Sequence, residues 1–357
     1  MKYLVEELEN VGVTLIAVEA LNNVSYSIST NRSTLELRVI NDSYKTSIRL
    51  KGLNLDNLYD EKNGHIHLSE TSCGYVRLKR KTQALTNRIS LVDLPDDKWN
   101  IERFKKMQGF QIACNNCKLV VLDSEVNIKK ISEMPSEFWA EFMDYWHCHK
   151  PTIGESKTDA KPYDYYKELK PRLNEVLVGN TYFQTIGSTI DRKVVVQTDG
   201  SVDCSNCRST LGYKEGSEIL VLEKQNLQLQ DTFKELSEDY PGYLVVLARI
   251  LSLLKFNSTR YFALKTGGQK PIFIWVLAYD CSVAYTGNEL VQRAYKLLYK
   301  DSWDRPPSSM EDIQLSDDLL DSFLQQLTKI HELIPENLKM FNGWKVSYMS
   351  IEDTNPI

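Results

Sequence analysis

At roughly 150 residues per domain, a chain of 357 residues is long enough for about two domains, and its 42% apolar residues can furnish two cores. A net charge of −5 and a pI near 5.7 argue against direct nucleic-acid binding, because neutralising phosphate takes a basic surface. No membrane span is expected, since the longest apolar run, Tyr243 to Phe256, is broken by Arg249 and Lys255 and is too short for a bilayer core of about 30 Å.

Taken from the N-terminus, the chain reads as β-rich up to residue 134. Val11 to Ala17, Thr34 to Ile40, Tyr44 to Leu50, Ile66 to Ser69, Tyr75 to Leu78 and Ile112 to Leu122 are short alternating runs, separated by turn residues such as Asn41-Asp42 and Asn63-Gly64. Without amphipathic helices between them, they predict an antiparallel sandwich or open barrel. At Pro135-Ser136-Glu137 a helix start is followed by Phe138, Trp139, Phe142, Met143 and Trp146 at helical spacing, and a polar linker runs from Lys150 to Lys161.

Beyond the linker, strands are expected over Val176 to Gln184, Lys193 to Gln197, Ser217 to Leu222, Tyr261 to Lys265, Ile272 to Tyr279 and Lys345 to Ser350. Helices are expected over Gly242 to Phe256, Asn288 to Tyr299 and Asp317 to Leu333. The fold class is therefore α+β: a β-rich domain over 1–134 packed on a mixed α+β domain over 135–357, joined by a structural zinc site.

The zinc expectation comes from the cysteines. No basic, apolar and small-residue succession at the N-terminus marks a secretory signal, so the seven cysteines are expected to face a reducing compartment, where paired cysteines read as metal ligands or redox groups. Five of them fall in three clusters: Cys114-Asn-Asn-Cys117, His147-Cys148-His149 and Cys204-Ser-Asn-Cys207. Two cysteines separated by two residues can both reach one Zn²⁺ at a tight turn, and two further ligands close the tetrahedron.

Two groupings are open. In the first, Cys114 and Cys117 join Cys148 and His149 in a closed Cys₃His site, because adjacent helical residues point about 100° apart and only one histidine can flank Cys148 as a ligand. Cys204 and Cys207 then project from a polar, turn-forming stretch, Asp199 to Gly212. In the second, Cys114, Cys117, Cys204 and Cys207 form a Cys₄ site and Cys148 is left free as a nucleophile. Neither pair has the βαβ setting of a thioredoxin-like redox motif. Cys73 and Cys281 sit in apolar strand contexts and read as small hydrophobes, while His65 and His67 read as one face of a half-exposed strand. No phosphate-loop, dinucleotide, zincin or hydrolase motif occurs.

Six segments together carry a resemblance: Cys114-x-x-Cys117, Met134-Pro-Ser-Glu-Phe-Trp139, Trp146-His-Cys-His149, Val178-Gly-Asn-Thr-Tyr-Phe183, Cys204-x-x-Cys207-x-x-x-Leu211-Gly212 and Phe341-Asn-Gly-Trp-Lys-Val-Ser-Tyr348. In this order the chain resembles the HECT-like family that binds ubiquitin-conjugating enzymes, and it looks like a fungal member linked to pre-mRNA 3′-end processing. The resemblance implies a ubiquitin-conjugating enzyme as partner and residence in nucleus and cytoplasm. It further implies docking on the zinc-dependent, metallo-β-lactamase-type endonuclease of the cleavage and polyadenylation machinery. There Asp203, Cys204, Cys207, Arg208, Leu211 and Gly212 would form the inserting loop, and a donated thiolate would displace the hydrolytic water.

A ligase that carries ubiquitin as a thioester needs an accessible cysteine of lowered pKa beside an acid or base. Cys148 between two histidines meets that description if it holds no metal. After Cys207 only Cys281 remains, so the chain departs from the pattern of a conventional HECT lobe.

Overall fold

The computed structural model describes residues 2–8, 13–19, 25–31, 34–40, 45–51, 65–67, 74–79, 97–134, 170–287 and 291–351. Within them the chain is mostly β, with three α-helices: Ile101–Lys106, Gly242–Asn257 and Asp317–Leu333. Two compact units emerge, one of Met1–Pro95 with Leu253–Ile357 and one of Asp96–Ser252. The segment 135–169, with the Phe138 to Trp146 helix, Cys148 and His149, lies outside the described residues, as does Cys73.

The first unit is organised on a nine-stranded sheet. Its main path runs Met340–Phe341, Trp344–Met349, Val291–Lys300, Ile272–Tyr285, Tyr3–Leu8, Val13–Val18 and Gly74–Lys79, all antiparallel. Tyr261–Lys265 pairs with Ile272–Tyr285 and is followed by Glu311–Gln314 in parallel. A four-stranded antiparallel sheet comprises Lys45–Lys51, Thr34–Ile40, Ser25–Asn31 and His65–His67. The Asp317–Leu333 helix buries Leu320, Phe323, Leu327 and Ile330, spaced by three or four residues, and the Ser347 hydroxyl donates to the Leu327 carbonyl at 2.8 Å.

One expected helix is a strand. Asn288 to Tyr299 carries apolar residues at helical spacing, yet Val291–Lys300 pairs on both sides, with Ile272–Tyr285 and with Trp344–Met349. Ala294, Tyr295, Leu297, Leu298 and Tyr299 are all buried, so both faces of the strand are covered. A short apolar run buried on both faces has no alternation to distinguish it from a helix. The helix expected from Gly242 is present as Gly242–Asn257 and is apolar nearly all round.

The second unit has two sheets. The seven-stranded one runs Lys130–Glu133, Glu175–Val178, Tyr182–Ile186, Ile219–Glu223, Thr210–Glu215, Ser201–Cys204 and Val194–Val196. The four-stranded one runs Leu236–Asp239, Leu227–Asp231, Phe110–Cys114 and Val120–Asp123. The core of this unit includes an aromatic cluster, with Trp99 against Phe183 and Tyr240, and Phe104 against Phe110 and Phe183.

A buried lysine locks that core. Lys224 has no exposed surface, and its ammonium pairs with Asp97 while donating to the carbonyls of Trp99 at 3.0 Å, Gly179 at 2.6 Å and Asn180 at 3.1 Å. Burial pulls its pKa down against the opposing pull of Asp97, whose other oxygen accepts from Tyr240 at 2.7 Å. A Cβ at Gly179 would meet the Tyr182 ring at 2.7 Å, so glycine lets that ring pack against the turn. The Val178 to Phe183 motif is therefore a structural turn around a buried cation.

Candidate metal centre

Each C-x-x-C pair forms the bend of a hairpin, and the two bends are built alike. In the first, the Cys114 amide donates to the Leu119 carbonyl at 2.8 Å and the Lys118 amide to Cys114 at 2.9 Å. In the second, the Cys204 amide donates to Ser209 at 2.8 Å and the Arg208 amide to Cys204 at 3.0 Å. Lys118 and Arg208 both adopt left-handed backbone, with φ of 63° and 64°. A register shift follows each pair at the same place, leaving Val121 and Leu211 as the extra, fully buried residues.

The hairpins are also held from behind in the same way. The Asn115 amide donates to Asn226 and the Ser205 amide to Lys193, both at 3.0 Å. Across the gap, Asn116 donates to the Ser209 hydroxyl at 2.9 Å.

This arrangement brings Cys114, Cys117, Cys204 and Cys207 together, with all four sulfurs within 4.8 Å of one another. Cys114 Sγ lies 3.6 Å from Cys207 Sγ, and Cys117 Sγ lies 3.5 Å from Cys204 Sγ. Those separations are far longer than a disulfide bond of about 2.05 Å. Four sulfurs at about 2.3 Å from one Zn²⁺ in a tetrahedron would be about 3.8 Å apart, so the set fits that ion.

The protonation chemistry splits each pair. Cys114 and Cys204 are fully buried, and burial pushes the Cys114 thiol up to about 12 and raises that of Cys204. Cys117 and Cys207 are half-buried. The Asn206 side chain and the Leu119 amide lower the Cys117 thiol, while the Ser209 hydroxyl and amide bring Cys207 down to about 6. Amides of Asn116 and Cys117 point at the Cys114 sulfur, and those of Asn206 and Cys207 at the Cys204 sulfur. A cation sharing the site would favour the thiolate form of all four, the two buried thiols included.

The four ligands belong to one unit, on two different sheets: Cys114 ends a strand of the four-stranded sheet and Cys204 a strand of the seven-stranded one. A bound zinc would thus staple the two sheets of Asp96–Ser252, rather than join a domain over 1–134 to one over 135–357. Of the expected ligands, Cys114 and Cys117 are brought together, whereas Cys148 and His149 lie outside the described residues.

The segment expected to form an inserting loop is largely internal. Asp203 is buried and accepts from Gln197 at 2.7 Å and Thr210 at 3.1 Å, and Cys204 and Leu211 are fully buried. Gly212 lies in the Thr210–Glu215 strand, where a Cβ would meet the Val221 carbonyl oxygen at 1.9 Å. Asn206 and Arg208 are exposed, and Cys207 is half-buried.

Cys281 is fully buried in the Ile272–Tyr285 strand of the other unit, and burial followed by the neighbouring Glu6 carboxylate raises its pKa. Glu6 itself is buried, paired with Lys296 at 2.8 Å and accepting from the Tyr348 hydroxyl at 2.9 Å. Asn342 and Gly343, with φ of 47° and 79°, make the two-residue turn that returns the chain into Trp344–Met349. Of the last family segment, Trp344, Val346, Ser347 and Tyr348 are buried, while Phe341, Asn342, Gly343 and Lys345 are exposed. Lys224, Asp97 and Glu6 carried no sequence signal, because each sits beside another charged residue, Glu223, Asp96 or Glu7, and such charges read as solvated.

A model of the family described as "HECT-like Ubiquitin-conjugating enzyme (E2)-binding" matches residues 6–346. The chain belongs to that family. It is 32% identical over 270 residues to the uncharacterized protein YJR141W of Saccharomyces cerevisiae, covering 73% of this chain and 75% of the relative. The uncharacterized protein C1734.10c of Schizosaccharomyces pombe is 20% identical over 67% of this chain and 72% of its own. An E3 ubiquitin-protein ligase of Rattus norvegicus is 24% identical over 61% of this chain, which spans 57% of that ligase. No solved structure matches the chain. All six segments begin within the HECT-like match, and the fold uses four of them as the two cysteine hairpins, a buried turn and a hairpin ending in a core strand.

Proposed function

We propose that this HECT-like protein binds a ubiquitin-conjugating enzyme and acts as a ubiquitin ligase, on a frame whose second unit is pinned by zinc held at Cys114, Cys117, Cys204 and Cys207. The observation that carries the reading is the family match over residues 6–346, which runs through both units. The likeness to the rat ubiquitin-protein ligase supports it.

The chemistry of the described cysteines favours a transfer in which ubiquitin passes from the conjugating enzyme without resting on any of them. Four are drawn into one cluster, and Cys281 is fully buried within a central strand, where burial keeps its thiol protonated. A thioester route would rest on Cys148, flanked by His147 and His149 in the sequence. The nuclease-directed reading asks more of the structure. Cys204 is buried, so the thiolate lent to a partner's zinc would be Cys207, and it would have to leave its own cluster.

The test mixes purified protein with a panel of ubiquitin-conjugating enzymes charged with ubiquitin, with and without the nuclease. The reading expects binding to at least one conjugating enzyme and faster discharge of its ubiquitin. It expects no thiol-reducible ubiquitin adduct at Cys114, Cys117, Cys204, Cys207 or Cys281. Absence of binding to every conjugating enzyme of the panel, together with tight nuclease binding, would reverse the choice.

A further inference from the structure

Each half-buried sulfur of the cluster faces a fully buried sulfur of the opposite hairpin. Cys207 lies 3.6 Å from Cys114, and Cys117 lies 3.5 Å from Cys204. The two pairs are thus equivalent in composition: one sulfur that solvent reaches and one that it does not. An oxidant that reaches the outer sulfur leaves the inner one within a small shift of bonding distance.

We infer that the cluster is a reversible redox staple: hydrogen peroxide converts the zinc-bound tetrathiolate into two disulfides across the hairpins, Cys114 to Cys207 and Cys117 to Cys204. Per pair, one H₂O₂ oxidises the outer thiolate to a sulfenic acid. The inner thiolate then attacks that sulfur, forming the S–S bond and expelling the oxygen as water. For the whole centre, two H₂O₂ and four protons take four electrons from four thiolates, giving two disulfides, four water molecules and one free Zn²⁺. A thiol reductant reverses the reaction and restores the ligands.

The pairing decides what survives oxidation. The cross-hairpin bonds link positions 93 and 87 residues apart, the same two sheets that the metal links. Disulfides closing loops of that size restrict the unfolded chain strongly, so the oxidised, metal-free unit stays assembled. Bonds within each C-x-x-C pair would leave the two hairpins unlinked. The hairpin geometry favours the cross pairs, because Asn116 to Ser209 and Asn206 to Cys117 already hold the bends face to face.

This inference rests on the zinc reading, so zinc content is measured first on the full chain. The protein is then titrated with hydrogen peroxide while a chromogenic chelator reports zinc and non-reducing peptide mapping reports disulfides. The expected result is one zinc released per chain and linked peptides for Cys114–Cys207 and Cys117–Cys204. A thermal transition is retained after oxidation and lost on reduction with chelator. Zinc-free protein at the outset would overturn the metal reading alone, and the mapping would still decide the pairing. Linked peptides within each C-x-x-C pair, or sulfonic acids without disulfides, would overturn the staple.

Discussion

Cys114 and Cys204, ninety positions apart, stand at the same point of two like-built hairpins, each amide donating at 2.8 Å to the carbonyl five residues on. The burial of the nine residues from Gln111 to Leu119 matches that from Ser201 to Ser209 position by position. Each hairpin presents one inner and one outer sulfur, and together they bring four sulfurs within 4.8 Å of one another. Substituting either inner ligand, by Cys114→Ser or Cys204→Ser, is expected to remove the bound zinc and to destabilise Asp96–Ser252 by on the order of 4 kcal/mol. Zinc analysis and urea unfolding of both variants check this, and a variant that keeps its zinc at full stability would contradict it.

The buried Lys224 makes a second prediction. Lys224→Met leaves the Asp97 carboxylate buried without its cation, which costs about 3–5 kcal/mol. Adding Asp97→Asn to Lys224→Met should recover part of the loss, because the uncompensated charge is then gone. A double-mutant cycle by denaturant melting measures the coupling, and additive losses would show that the pair does not act as a unit.

Acid stability follows from Glu238. Burial pushes its carboxyl up, but Arg103 with bonds of 3.0 and 2.8 Å, the Trp99 indole and Lys98 outweigh burial and hold it below the usual range. A depressed carboxyl contributes stability that is complete above the unfolded-chain value of about 4.3 and drains away as pH falls through the lower folded value. Stability should therefore fall below about pH 4, and Glu238→Gln should flatten that fall while lowering stability at neutral pH. Melting curves across the acid range would show equal slopes for both proteins if Glu238 did not titrate this way.

Gly212 belongs to the segment expected to contact a partner, but its position explains it as packing. Gly212→Ala would drive a methyl group into the Val221 carbonyl oxygen. The expected outcome is a loss of about 2–4 kcal/mol in stability with zinc still bound by the folded fraction. A variant of unchanged melting temperature that loses partner binding would instead make Gly212 a contact residue.

The physical reasons for what the sequence revealed are uneven. The strands Thr34–Ile40 and Tyr261–Lys265 and the helix Asp317–Leu333 declare themselves, because one face is polar or the ends carry turn residues. Val291–Lys300 does not, since with both faces buried its apolar residues fall at helical spacing rather than in strand alternation. The metal ligands were legible as two pairs, because C-x-x-C spacing is a local property. That Cys204 meets Cys117 across 87 residues is a tertiary fact, set by two sheets in one unit. Lys224 and Glu6 were silent for the same reason: burial of a charge depends on partners far away in sequence.

The four-sulfur centre is the claim on which the fold of the second unit, the redox staple and the exclusion of Cys204 as a free thiolate all depend. Zinc K-edge X-ray absorption on the purified full chain tests it most directly. Four sulfur neighbours at about 2.3 Å and no histidine scattering is the result expected for Cys114, Cys117, Cys204 and Cys207. Three sulfurs and one nitrogen at about 2.0 Å, abolished by His149→Ala, would contradict it.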